Sequence, residues 1–418
     1  MKPTYRLTTL ACFAGTFVQA IIGNLTAILF VPMMGLYGLN YVHLGILVGV
    51  NFGAQVTADI LLSGLVDKKG FRFFVLPTCL TAFFGLLFFA AAPLLFPGHV
   101  FTGLLLATVV FSFSSGMLEV LLSPIIDAIP GDDKGPAMSL LHSFYAWGQV
   151  ITIILTTLFV YTAGGEHWPI VVLLWAAVPL TCFFLFLRAP FPQGTPPAQR
   201  QGMRQLVFHP FYLLALAAIF CGAGTEIVIN QWASTFMEKA LALPKLAGDL
   251  LGMCGFAAML GLARLLYGLY GAKIDISRVL TLGAAVSILC YLTVALSPFD
   301  ALNVAACAVC GFAAGLLWPG TLVLASERFP LAGAWLFAVL GAAGDIGASF
   351  SSWLTGVVVD SSAGSSLSAA MAGALGVTGA QADMRVGILV AAAFPVATFL
   401  CHKILRRMKR RHIQGGMT

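Results

Sequence analysis

Twelve apolar runs, each about as long as a bilayer crossing, dominate this sequence. They fall at about 8–34, 43–65, 72–96, 99–126, 137–162 and 169–189, then at about 209–237, 246–272, 277–297, 300–326, 333–359 and 384–405. A helix needs roughly 20 apolar residues to cross about 30 Å of hydrocarbon, and only helices or closed barrels satisfy every backbone polar group there. Barrel strands read as short alternating segments, whereas these runs are long and continuous. The expectation is an all-α membrane protein with twelve transmembrane helices. Only 9% of the residues are charged, against about 25% in soluble domains, which excludes an ordinary soluble enzyme. The first run follows Lys2 and Arg6 as a signal peptide's would, but it outlasts a short h-region and meets no clear cleavage site. It reads as the first span.

Residues 190–208 form the longest strongly polar connection, rich in Pro, Gln and Gly, with Arg200 and Arg204. They divide the chain into two pseudo-symmetric six-helix bundles, 1–189 and 209–405, with 190–208 as a cytoplasmic linker and 406–418 as a basic cytoplasmic tail. Short cytoplasmic loops collect Lys and Arg. With both termini cytoplasmic, only Lys239, Lys245, Arg264 and Arg385 of the 22 basic residues fall outside the inner segments. The net charge of +6 then marks a membrane face toward anionic lipid and not a nucleic-acid site. Transporters are often built from repeats. Ala58-Asp59 precedes the loop from Asp67 to Arg72 much as Ala263-Arg264 precedes Lys273 to Arg278, and Gly148-Gln149 sits where Gly344-Asp345 sits.

Glu119 stands within about two dozen otherwise uncharged residues. An acid so placed costs about 2.5 to 3.5 kcal/mol on insertion scales, so it marks a functional site. The nine cysteines lie almost all in apolar runs. Cys307 and Cys310 form a CxxC inside a predicted helix, without a second pair or a nearby histidine, and read as small hydrophobes. No metal site or disulfide framework is expected, and no phosphate-cradling GxxxxGK loop is present.

The stretch Ser63-Gly64-Leu65-Val66-Asp67-Lys68-Lys69-Gly70-Phe71-Arg72 resembles the signature between helices 2 and 3 of the major facilitator superfamily, roughly G-x-L-x-D-R-x-G-R-R. It departs at Ser63, Lys68 and Phe71. Within that superfamily, Gly116, Glu119 and Ser123-Pro124 are similar to the fourth helix of the fucose permease and glucose/galactose transporter group, and Ser143-Phe144-Tyr145-Ala146-Trp147-Gly148 to its fifth. Gly224-Thr225-Glu226 and Trp232 resemble its seventh. Sugar/proton members of the group carry an acid after an Asn-Leu pair in helix 1. Here Asn24-Leu25 is followed by Thr26-Ala27, so coupling runs through another acid or the chain is not a proton symporter.

The resemblance implies that helices 1, 4, 7 and 10 line a central cavity. Glu119 and Asp345 are the candidate proton-coupling acids. Gln19, Asn24, Glu119, His142, Glu226, Asn230, Gln231, Trp232, Trp318 and Thr321 are the candidate substrate groups. Acids and amides bond sugar hydroxyls, a tryptophan ring can stack on a sugar's apolar face, and Glu226 shares a helix face with Asn230. Against this, Trp232 fits an interfacial anchor, His142 fits a packing residue, and Asp345 fits a structural partner of Arg264. Asp59, Asp67, Lys68, Gly70, Arg72 and Arg264 form the expected cytoplasmic gate. Asp59, Glu119, Glu226 and Asp345 share the apolar segments with Arg264 as their one base, so not all four can be charged and paired.

The expected function is secondary transport of a small polar solute, a hexose or deoxyhexose, by alternating access with proton symport. Sodium is the other coupling ion considered, and no further cofactor is expected. The partners are the solute and the bilayer, and the protein is expected as a monomer in a bacterial inner membrane. An efflux transporter of hydrophobic or cationic compounds fits the same acids and aromatics. A non-transporting sensor on the same fold would need a soluble domain longer than this tail.

Overall fold

The computed structural model describes the backbone of residues 5–130, 134–192, 208–270, 274–329 and 334–415. Most of the 190–208 linker, Lys273, and the side chains of Asp67, Lys68 and His142 lie outside the described residues. The chain forms two compact units, Met1–Ala198 and Gln199–Thr418.

The first unit contains α1 (Arg6–Ile28, continued by Phe30–Tyr37), α2 (Tyr41–Lys69), α3 (Phe71–Leu95), α4 (Val100–Ala128), α5 (Lys134–Ala163) and α6 (Trp168–Arg188). In the second, α7 is Pro210–Lys239 and α8 runs through Lys245–Ala247, a π-helical Gly248–Cys254 and Gly255–Tyr270. Then come α9 (Ile276–Leu296), α10 (Asp300–Ala314 and Leu317–Arg328), α11 (Ala334–Ser361) and α12 (Gly379–Ala391 and Ala393–Gly415). Among the described residues, eleven segments are long and apolar enough to cross a membrane. The 28 residues of Ala334–Ser361 complete twelve crossings. This is a multi-pass, all-α membrane protein.

Three of the twelve are interrupted where the sequence alone reads as continuous. The breaks fall at Leu29, at Gly315–Leu316 and at Ala392. Each lies three or four residues before a proline, Pro32, Pro319 or Pro395. A proline has no N–H to donate, and its ring crowds the carbonyl four residues back, so that carbonyl is released from the helical ladder. At α10 the released carbonyl is that of Gly315.

Between the last two apolar runs, residues 361–383 contain a short helix, Ser366–Leu375. The Ser365 hydroxyl caps it by accepting from Ser368 N at 3.1 Å, and Gly376 ends it in the left-handed region at φ 65°. A capping box of Thr378 and Gln381 then starts α12 at Gly379, earlier than its apolar run suggests. At its other end α12 continues to Gly415. The basic segment from Arg406 is therefore mostly a helical continuation and not a separate tail, and its cations suit the negative end of the helix dipole.

Candidate functional site

In the first unit the site is set by one close crossing. A Cβ on Gly116 of α4 would stand 2.5 Å from the carbonyl oxygen of Gln55 on α2, so only glycine lets the two backbones meet. That contact fixes a ladder of neutral groups. Ser115 Oγ donates to Gln55 Oε1 at 2.9 Å, Gln55 Nε2 to Asn51 Oδ1 at 2.8 Å, and Asn51 Nδ2 to the Ile22 carbonyl at 2.9 Å. Gln19 Nε2 joins it by donating to the Ser115 carbonyl at 3.2 Å. The ladder ties α1, α2 and α4 together.

One turn further along both helices stand Asp59 and Glu119, each four residues beyond a ladder member. Their carboxylates lie within 4.8 Å of each other. Asp59 is buried at 5% exposure, whereas Glu119 is exposed. Glu119 makes no ion pair among the described residues. The sequence places Asp59 with the gate residues; the structure sets it beside Glu119. Asn24 is fully enclosed, donating to the Ala20 carbonyl and accepting from Gln149 Nε2 at 2.8 Å, which joins α1 to α5. Of the gate residues, Gly70 turns the chain between α2 and α3 at φ 81°. Arg72 donates to the Leu187 carbonyl at the end of α6 at 2.9 Å. A groove of about 550 Å³ lies at the start of α1, against Arg6, Thr9, Leu10 and Phe13, and at Ile129 and Pro130 beyond α4. It touches none of these site residues.

The second unit is arranged around Arg264 of α8. Its Nη2 donates to both carboxylate oxygens of Glu226 on α7, at 3.0 and 3.3 Å, and its Nε donates at 3.0 Å to the Gly315 carbonyl released at the α10 break. The expected pairing of Arg264 with Asp345 is thus corrected: the guanidinium reaches Glu226 because α8 and α10 close on each other through Gly311 and Gly315. A Cβ on Gly315 would lie 3.0 Å from the Ala263 side chain. A small residue every four is the usual device for such an approach in a membrane.

Asn230 and Gln231 are buried one turn beyond Glu226. Trp232 is completely enclosed and acts in packing, with no open ring face for a sugar. The Trp318 ring covers Gly344 of α11, where a Cβ would stand 2.5 Å away. Its neighbour Asp345 is buried at 3% exposure. Thr321 donates to the Leu317 carbonyl at 2.5 Å and stands 3.5 Å from His402 Nε2 on α12.

Some polar residues here are not singled out by the sequence reading. Asn51 and Gln55 precede Asp59 in an i, i+4, i+8 stripe that a search for polar groups on one helix face would find. Asp249, fully buried in the π-helical turn, accepts from Lys245 at 2.5 Å and from Ser234 of α7. Arg385 is buried against the end of α9, donating to Ser297 O at 2.9 Å and Val294 O at 3.3 Å beneath the Phe236 ring.

The sequence profile of the major facilitator superfamily matches residues 12–352. The chain belongs to that superfamily. No curated protein matches it, but solved structures share its fold. A bacterial homologue of the human lysosomal transporter Spinster superposes with a TM-score of 0.76 at 14% identity, covering 97% of this chain and 98% of that one. A D-xylose-proton symporter gives 0.72 at 15% identity, covering 94% and 97%. The fucose:proton symporter of E. coli gives 0.63 at 15% identity, covering 96% and 99%. These likenesses establish the transporter fold and leave the solute to the site itself.

Proposed function

We propose that this superfamily member is a secondary transporter that carries a small polar solute of the hexose or deoxyhexose class together with protons, by alternating access in a bacterial inner membrane. Both termini are cytoplasmic, and the working unit is a monomer. The observation that carries the coupling is the acid pair of Asp59 and Glu119, whose carboxylates are within 4.8 Å and framed by the neutral ladder of Gln55 and Ser115. Two charges at that separation repel by about 3.5 kcal/mol at an effective dielectric of about 20. A single proton relieves this repulsion, and the exposed Glu119 can exchange it with water. Asp345 is the second coupling candidate. In the second unit, Asn230, Gln231 and the exposed edge of the Glu226–Arg264 pair supply hydrogen-bonding groups to read a solute; in the first, Gln19 is the candidate. The proton-coupled sugar transport in the names of two fold relatives is in keeping with this reading.

The test is uptake of labelled hexoses into liposomes holding the purified protein, with and without an inward proton gradient. Glu119→Gln should abolish gradient-driven accumulation while sparing counterflow exchange. If no hexose moves with the wild-type protein, the sugar assignment falls. Lipophilic cations are then the compounds to try.

A further inference from the structure

An arginine buried in a membrane domain is costly, and its usual role is to neutralise an acid or to cap a helix. Arg385 does the latter: it is 1% exposed and turns its guanidinium onto the carbonyls at the end of α9. Arg264 differs in two respects. Its side chain keeps 17% exposure, and only part of its donor set is used. Nε is taken by Gly315 and Nη2 by Glu226, while Nη1 has no protein acceptor among the described residues. A guanidinium held from two sides in a fixed plane, with one arm open, matches the geometry that a carboxylate requires. A neutral sugar needs no such group, because amides and hydroxyls suffice for its hydroxyls.

We propose that Arg264 Nη1 is the subsite for a carboxylate on the solute, so that the transported sugar is an acidic one of the hexuronate class. The sugar part of this inference rests on the function proposed above, while the carboxylate part rests on Arg264 alone. Binding places a second anion on a guanidinium that already faces Glu226, and an unbalanced charge is not tolerated in so enclosed a site. The bound state therefore takes up one proton, with Glu226 as its acceptor. Solute anion, protonated Glu226 and Arg264 then carry the same total charge as the empty ion pair, so the charge that the solute brings to this site is balanced by this proton, apart from the one held by Asp59 and Glu119. The charged and titratable groups on the elements against α7 include Arg264 of α8, Tyr291 of α9, Glu327 and Arg328 at the end of α10, Asp345 of α11 and Arg385 and His402 of α12, with Lys245 and Asp249 at the far end of α7. Among these, Arg264 is the one bonded to Glu226.

The experiment is calorimetric titration of the full-length protein in detergent with D-glucuronate, D-glucose and lactate, followed by flux in liposomes with the membrane potential clamped. Glucuronate should bind at least about tenfold more tightly than glucose, the scale of one charge-assisted contact, and its uptake should respond to the pH gradient. The doubly neutral variant Arg264→Gln/Glu226→Gln should bind the two sugars equally. Glucose binding wild type as tightly as glucuronate would overturn the carboxylate subsite and leave the sugar reading standing, and this comparison does not depend on how the variant folds. If lactate binds and neither sugar does, the subsite stands and the sugar reading fails. If none of the three binds, both fail.

Discussion

In the first unit an acid faces an acid; in the second an acid faces a base. Asp59 and Glu119 are held together by a glycine crossing and a ladder of amides, with no cation bonded to Glu119 among the described residues. Glu226 and Arg264 are held by a helix break that releases one carbonyl. The gross attraction in the second, at 3.0 Å, is about 5.5 kcal/mol at an effective dielectric of about 20, before desolvation is subtracted. The same Coulomb term that stabilises one site opposes the other. Protons therefore decide the charge of the first site, whereas the second balances itself. With no solute bound, the first site titrates and the second pairs.

The sharpest way to break this comparison is to remove one member of the pair. Arg264→Gln leaves Glu226 enclosed without its cation and should cost about 3–5 kcal/mol, seen as a large fall in the thermal midpoint in detergent. Adding Glu226→Gln should recover most of that loss. Equal midpoints for the single and double variants would show that the second unit does not depend on pairing. In the first unit the corresponding lever is steric. Gly116→Ala drives a Cβ into the Gln55 backbone and should cost about 1–3 kcal/mol, while separating the two acids and weakening gradient-driven uptake. Gly341→Ala is the control, since nothing lies within 4 Å of its added Cβ; a mid-helix glycine replaced there should be neutral or slightly stabilising. A loss as large at Gly341 would remove the crossing as the cause.

Gln55→Leu is a gentler probe of the same ladder. It deprives Ser115 and Asn51 of their partner, a cost of about 1–2 kcal/mol, and lets α2 and α4 slip. Unchanged uptake in that variant would mean that Gly116 alone sets the acid pair.

What could be read in advance follows from how costly each feature is. Twelve apolar runs and single acids such as Glu119 and Glu226 stand out because hydrocarbon penalises any charge. The pairing of Arg264 with Glu226 does not stand out, because the two are 38 positions apart and the pairing depends on the Gly315 carbonyl, released where Pro319 interrupts α10. The prolines were visible, but Pro77 and Pro179 sit inside the uninterrupted α3 and α6, so proline alone does not announce a break. The amide ladder was quieter still, because Asn51 and Gln55 cost less than a charge and resemble ordinary polar spots in a helix. The likeness to the fucose permease group pointed to Trp232 as a stacking ring. Tertiary packing encloses that ring, and no local pattern foretells it.

A third way of handling charge lies outside the spans, where α7 begins, and it carries the smallest expected effect. His209 Nδ1 accepts from Phe211 N at 3.2 Å and so caps the helix, while its ring stands edge-on to Phe329 at 5.1 Å. The cap works only while Nδ1 is unprotonated. Burial first, and the nearby Arg328 second, hold the imidazole pKa below its ordinary 6.5. Above pH 6.5 both the folded and the unfolded chain carry a neutral ring, and the cap is fully present. Below it the unfolded chain takes the proton first, so stability falls as the pH drops from about 6.5 toward the folded value. The ring is only partly buried, which keeps the change small. His209→Asn retains an acceptor at the cap without a titrating group, so its thermal midpoint should lose less than that of wild type between pH 7 and pH 5. Parallel slopes for the two proteins would mean that Arg328 and the helix start are indifferent to this histidine, and that charge in the second unit is managed at Arg264 and not also here.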